Sequence, residues 1–491
     1  MNATPLPLNA RVLASLPANV TGPAYDRAAL TPGILHVGIG NFHRAHMAVY
    51  LDRLFALGDS HDWAICGAGV RPGDAAMRDR LAAQDWLTTV VELDPSGLHA
   101  QVVASMVDFV TVDPAQTIAR MADPTIRIVS LTITEGGYYV DAKTDSFNTD
   151  HPDMVHDAAN PDAPRTVFGM ILAGLQARRA AKIPPFTVMS CDNLPENGHV
   201  AAAAVIGLAQ MIDPALATWV RANVAFPCGM VDCITPATSD RERALVADRF
   251  GLTDAAPVVC EPFRQWVLED HFPQGRPALE KVGVEFVKDV AAYELMKLRI
   301  LNGGHAAIAY PSALMGHHFV HDAMADRSVR DWLLALEQRE IIGTLKPIPS
   351  VSYADYLAKI VERFSNPEIG DTIPRLCLDG SNRQPKFILP VLRDALAAGT
   401  PTDGLALEVA LWCRYCAGTD DAGNPIAPND DNAADLKVRA MAARTDPGAF
   451  IGNTVVFGDL GQNATFAAQF GAHLAALWTK GTRSVLAGYV G

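Results

Sequence analysis

The chain has 491 residues, 49% hydrophobic and 19% charged, a composition that excludes disordered and fibrous classes and is ample for two or three domains. Forty basic residues against 54 acidic ones leave a net charge of −14. Nucleic acid and anionic membrane surfaces both demand a basic patch, so neither is an expected partner. A small anionic ligand needs only a few local cations and stays open.

No stretch reaches the ~20 apolar residues of a spanning helix. The longest apolar run, around 200–212, is rich in alanine and reads as a buried helix. The N-terminal MNATPLPLNARVLASLPANV lacks the basic-then-apolar order of a secretory signal, so a cytoplasmic location is expected. Eight cysteines do not make a disulfide framework at this length. The tightest pair, Cys413 and Cys416, has no second pair or histidine cluster nearby to complete four zinc ligands. No metal site is expected, and the two read as buried thiols.

In chain order, apolar runs at 34–38, 63–70, 88–93, 126–133 and 186–191 end in glycine or polar turns and read as strands. Helical patterns at 167–182 and 199–211 lie between them. Strand and helix in alternation predict an α/β N-terminal domain, a parallel sheet with helices on both faces. From 291 onward nearly every stretch reads as helix: 293–309, 330–342, 353–363, 386–398, 405–416, 435–443 and 464–479. We divide the chain into a Rossmann-type dinucleotide-binding domain, 1–288, and a mainly α-helical domain, 289–491.

The first strand, ILHV, runs into GIGNFHRAHMAVYLDRL. Gly38 permits a tight turn, Gly40 lets the backbone approach a pyrophosphate, and the following helix offers free N–H donors. The third glycine of a full fingerprint is His43 here, so an ordinary strand-to-helix turn remains the alternative. The second strand, WAICGAGV, precedes Arg71, Pro72, Gly73 and Asp74. Asp74 suits either the adenosine ribose, where its charge repels a 2′-phosphate, or the cap of the helix that follows.

At the domain junction stands YELMKLRILNGGH, residues 293–305. On an ideal α-helix Lys297 and His305 are about 80° apart. Asn302 and His305, three apart, share a face. Two successive glycines, at roughly 1 kcal/mol each in a helix, point to a bend or a close approach by a ligand. Two further polar runs end apolar strands, SCDNLP at 190–195 and MVDCITP at 230–236. They sit where ligands bind in parallel sheets, although Asp and Asn are also ordinary turn formers.

GIGNFHRAH, LTITEGGYY, VMSCDNLPENG, VDCITP, VCEPFRQWVLED and MKLRILNGGH together resemble the polyol-specific long-chain dehydrogenases, the mannitol dehydrogenase family, over nearly the whole chain. The resemblance implies a metal-independent, monomeric enzyme that uses NAD, with some NADP use. It would interconvert D-mannitol, or a similar polyol, and its 2-ketose, D-fructose. It implies Lys297 as general base, Asn193 and Asn302 as an oxyanion hole, and His305 as a substrate-positioning group. Asp232, Arg375 and Arg383 correspond to substrate contacts; Arg383 stands where some mannitol enzymes have lysine. Glu294 corresponds to an acid linking the base to solvent. Gly38, Gly40, Phe42 and Asp74 correspond to cofactor-binding positions; Gly73 stands where strictly NAD-dependent relatives often have an acid.

The residue types fit the chemistry. Removing hydride from a secondary alcohol also requires loss of the hydroxyl proton, which a buried lysine beside a cationic ring can accept. Asparagine amides can donate to the oxygen as charge develops there. An aldonate dehydrogenase, interconverting D-mannonate and D-fructuronate, is the alternative within the family, because two arginines suit a carboxylate. A regulatory protein that senses NAD without turnover is the alternative outside it.

Overall fold

The computed structural model describes residues 4–141, 146–349 and 351–491. The chain divides into two units, Met1–Ala291 and Ala292–Gly491.

Five parallel strands form the central sheet of the first unit: Pro32–Val37, Ala64–Ala68, Met106–Phe109, Ile128–Leu131 and Thr187–Ser190. Their spatial order is fifth, fourth, first, second, third. The order reverses between the first and fourth strands, the switch point at which doubly wound sheets bind ligands. Successive side chains point to opposite faces. Ile34, Ile65, Ile128 and Met189 therefore feed one core, while Leu35, Cys66, Val129 and Val188 feed the other. Continuous apolar runs are the signature of strands buried on both faces.

Two expectations are corrected. The run at 88–93 does form a strand, Thr88–Glu92, but outside the parallel sheet. It pairs antiparallel with His99–Val103 and parallel with Val258–Cys260 in a separate four-stranded sheet. The third parallel strand is instead Met106–Phe109, too short for alternation to register and interrupted by Asp108, which pairs with Arg120. The strand Gly229–Asp232 also lies outside the parallel sheet, antiparallel to Gln265–Glu269.

Past Val287 the described residues form helices and no further strand. The single helix expected at 293–309 has three parts: Ala291–Met296, a π-helical turn Lys297–Asn302, and Gly303–Leu314. A second π turn, Glu337–Ile341, extends the helix Arg327–Leu336 and packs against the first. No helix among the described residues is long and apolar enough to cross a membrane.

Glu337 and Glu408 of this helical unit are buried, and among the described residues neither carboxyl group has a cation in ion-pair range. Gln384 donates to Glu408 Oε1 at 2.6 Å, and Glu408 is fully buried. Among the described residues, neither Glu337 oxygen has a hydrogen-bond partner. Burial pushes Glu337 well above the ordinary carboxyl range and Glu408 up to about 8. Between about 4.5 and about 8 the folded protein keeps the Glu408 proton while the unfolded chain has released it. Stability is therefore lost as pH rises through that window. Glu408→Gln removes the ionisation and should stabilise more at pH 8 than at pH 5, by at least ~1 kcal/mol in denaturant unfolding. Equal effects at the two pH values would refute the assignment.

Candidate functional site

Gly38 has φ +99° at the switch point, and a Cβ there would sit 2.0 Å from the Thr132 carbonyl oxygen. Only glycine fits that approach. The turn is tied to the neighbouring strand through polar side chains. His36 bridges Ser130 Oγ at 2.7 Å and Thr132 Oγ1 at 2.9 Å, and Thr132 Oγ1 donates to the Gly38 carbonyl at 2.6 Å. His43 turns inward and stacks on His36, with ring centroids 3.5 Å apart. That contact occupies the place where a third glycine would pack helix against sheet. Burial holds both histidines neutral, His36 down to about 3 and His43 well below its usual value.

The helix after the turn is shorter than its sequence indicates. Asn41–Ala45 ends at His46, where the backbone leaves helical geometry before Met47–Ala56 begins. Asn41 donates to the Pro236 carbonyl and Thr238, and the buried Arg44 donates to Asn41 and the carbonyls of Gly40 and Ala256. Phe42 stacks on His46, with centroids 4.8 Å apart. The side of Gly40 stays open: an added Cβ would meet nothing within 4 Å. A backbone loop with clear space at its second glycine is the cradle a pyrophosphate requires.

Asp74 closes a capping box at the helix Pro72–Ala82. Its Oδ2 accepts from the Val70 and Arg71 amides at 2.8 and 2.9 Å. It thus fulfils the capping role while remaining beside the loop that leaves the second strand. Asn193 is exposed just beyond the fifth strand. Asp232 is buried at the end of Gly229–Asp232.

In the second unit the π turn changes the expected helical geometry. On an α-helix Lys297 and Asn302 would lie about 140° apart. A π turn closes at i+5 and brings them to one side. α-Winding resumes at Gly303, which keeps Asn302 and His305 on one face. Glu294 lies on the turn before Lys297. A Cβ on Gly303 or Gly304 would make only ordinary contacts, from 3.5 Å upward.

His305 stacks on Phe364, with centroids 4.1 Å apart. It also acts electrostatically on Asp371, a residue the sequence reading missed because IGDTIP carries no motif. Asp371 grips Arg375 through both oxygens, and the guanidinium holds its carboxyl below the usual range. Arg383 donates to the Arg375 and Leu376 carbonyls at 3.3 and 3.1 Å. The helical unit thus joins His305, Asp371, Arg375 and Arg383 in one polar group. Among the described residues, no three His, Cys, Asp or Glu side chains are grouped to hold a metal ion.

Residues 32–281 match the family model for the mannitol dehydrogenase Rossmann domain, and residues 289–478 match that for the mannitol dehydrogenase C-terminal domain. A mannitol 2-dehydrogenase of Cereibacter sphaeroides is 62% identical over 470 residues, 95% of this chain and 98% of that protein. The solved structure of Pseudomonas fluorescens mannitol 2-dehydrogenase, a ternary complex with NAD and D-mannitol, superposes with a TM-score of 0.84 at 42% identity, covering 98% of this chain and 99% of that one. A D-sorbitol dehydrogenase in substrate-free form superposes with a TM-score of 0.92 at 34% identity, covering 98% and 100%.

Proposed function

The chain belongs to the mannitol dehydrogenase family, and on that footing we propose that it is a metal-independent, NAD-dependent polyol 2-dehydrogenase. It interconverts D-mannitol, or a polyol of the same configuration at the reacting end, and the 2-ketose, D-fructose. The observation that carries this reading is the π turn that brings Lys297 and Asn302 to one side of a helix, with His305 one turn on. A base, an amide donor and a hydroxyl-orienting imidazole are what alcohol oxidation needs.

The nicotinamide of bound NAD supplies the hydride acceptor. Lys297 takes the hydroxyl proton in oxidation and returns it in ketone reduction. The amides of Asn193 and Asn302 donate to the substrate oxygen as negative charge grows on it. His305, held flat by Phe364, orients a hydroxyl, and Glu294 passes the proton on from Lys297. Asp232, Arg375 and Arg383 bind the remaining hydroxyls. Gly38, Gly40 and Phe42 frame the pyrophosphate, and Asp74 accepts from the adenosine ribose and repels a 2′-phosphate. Gly73 adds no second charge, which leaves room for some NADP use.

The pairing of Arg375 with Asp371 favours a neutral substrate over an aldonate. Its guanidinium charge is already met by a carboxylate, and Asp232 adds another negative group. A carboxylate substrate needs an uncommitted two-pronged cation.

Lys297→Ala should lower turnover by roughly 10²–10⁴-fold while NADH affinity stays near that of the parent. Near-parental turnover in the folded variant would remove Lys297 from the mechanism. The parent's polyol oxidation should also fall on acidification, because the base must be unprotonated.

Asp74→Ala should cost about 1 kcal/mol of stability through the lost cap, and narrow the ratio of kcat/KM for NAD over NADP. A ratio that does not move would confine Asp74 to its capping role.

For the wild type with NAD, kcat/KM for D-mannitol should exceed that for D-mannonate by at least about tenfold, ~1.4 kcal/mol in the transition state. The reverse preference, abolished selectively in Arg383→Ala, would establish the aldonate dehydrogenase instead.

A further inference from the structure

We propose that Asp192 and Asn197 are the positioning residues that set where the Asn193 amide stands, Asp192 by binding the neighbouring strand-end loop and Asn197 by tying the same backbone to the strand that carries Asp232. The inference rests on the reading of Asn193 as a donor to the substrate oxygen.

Asp192 is buried, and its carboxylate receives three donors and offers none in return. Oδ2 accepts from the Ile133 amide at 2.9 Å and the Tyr138 hydroxyl at 2.7 Å, and Oδ1 accepts from the Thr134 amide at 3.0 Å. Tyr138 is itself fully buried, with its hydroxyl 2.6 Å from Ser190 Oγ. Such a set of donors is matched to an ionised acid. Thr134 reaches it with φ +67° and ψ 158°, a conformation a β-branched residue adopts only when its surroundings compel it. The loop after the fourth strand is thus held, under strain, against the residue preceding Asn193.

The Asp192 main chain is pinned independently. Its carbonyl accepts from the Leu194 amide at 2.9 Å and from Asn197 Nδ2 at 3.0 Å. The Asn197 carboxamide is fully buried and pairs with Gly229 as a strand neighbour would: Nδ2 donates to the carbonyl at 2.7 Å, and Oδ1 accepts from the amide at 2.9 Å. Gly229 opens the four-residue strand that Asp232 closes. Behind Asn197 there is no slack, since a Cβ on Gly198 would fall 2.5 Å from the Phe226 carbonyl oxygen. Asn193 itself is exposed between these anchors. A donor amide acts through placement within a few tenths of an ångström, and the groups that fix this one lie on either side of it in the chain.

The test is steady-state oxidation of D-mannitol with NAD, together with NADH binding by fluorescence, in a double-mutant cycle. Asp192→Asn turns an acceptor into a donor facing backbone amides. It should lower kcat 10- to 100-fold and change the NADH dissociation constant less than threefold. In the Asn193→Ala background the same change should cost less than threefold, because the amide it positions is gone. Asn197→Ala should lower kcat and also raise the mannitol KM, since it loosens the strand of Asp232 as well. If Asp192→Asn does not fold, Tyr138→Phe withdraws one of the three donors. It should lower kcat 3- to 10-fold, again only when Asn193 is present. Equal factors in both backgrounds, an unimpaired kcat, or an unmoved KM in Asn197→Ala would overturn the proposal while leaving Asn193 as a donor. Parental turnover in Asn193→Ala alone would overturn the reading on which it rests.

Discussion

A Cβ at residue 38 would sit 2.0 Å from the Thr132 carbonyl oxygen, and that single close approach organises the first unit. It brings the turn after the first strand against the end of the fourth, the one place in the sheet where connections diverge to both sides. His36 fixes the contact from below by bridging Ser130 and Thr132 across the two strands. His43, stacked on His36, then draws the following short helix onto the sheet. The histidines are buried and neutral, so the lock is made of dipoles and ring faces with no ion. The loop at 133–138 continues from the end of that fourth strand, and the loop at 192–197 from the end of the fifth strand beside it.

Strands buried on both faces were legible in the sequence because their apolar runs are continuous, as ILHV and FTVMS are. Met106–Phe109 was not, because four residues with an aspartate in the middle carry no period. Thr88–Glu92 was legible as a strand but not as a member of another sheet, since alternation does not name the partner. The strand-end motifs around Asn193 and Asp232 were visible as polar interruptions of apolar runs. The role of Asp192 was not, because its donors lie 54 to 59 residues earlier in the chain. Asp371 escaped notice for the same reason: its significance comes from Arg375 and His305, and IGDTIP contains nothing to mark it. The π turn was hidden because six residues are too few to separate one helical period from another.

The arginines illustrate how charge identity and charge availability differ. Two guanidinium groups eight residues apart look like an anion site. Folded, one is held by a carboxylate and the other caps the carbonyls of a short helix. Their N–H groups remain directional donors, and the charge of Arg375 is met by Asp371. The buried acids Glu337 and Glu408 lie in the same unit, so its interior also favours neutral species.

The π turn at Lys297–Asn302 holds one residue more than an α-helix would need to bring its two ends to one side. With uniform α winding at the present length Lys297 and Asn302 would lie about 140° apart, whereas with one intervening residue removed they would lie about 40° apart. The side that Lys297 shares with Asn302 therefore depends on the winding and the residue count together, and not on the side chains of the motif alone. The facing of the two residues survives the loss of one residue only if the π turn is lost with it.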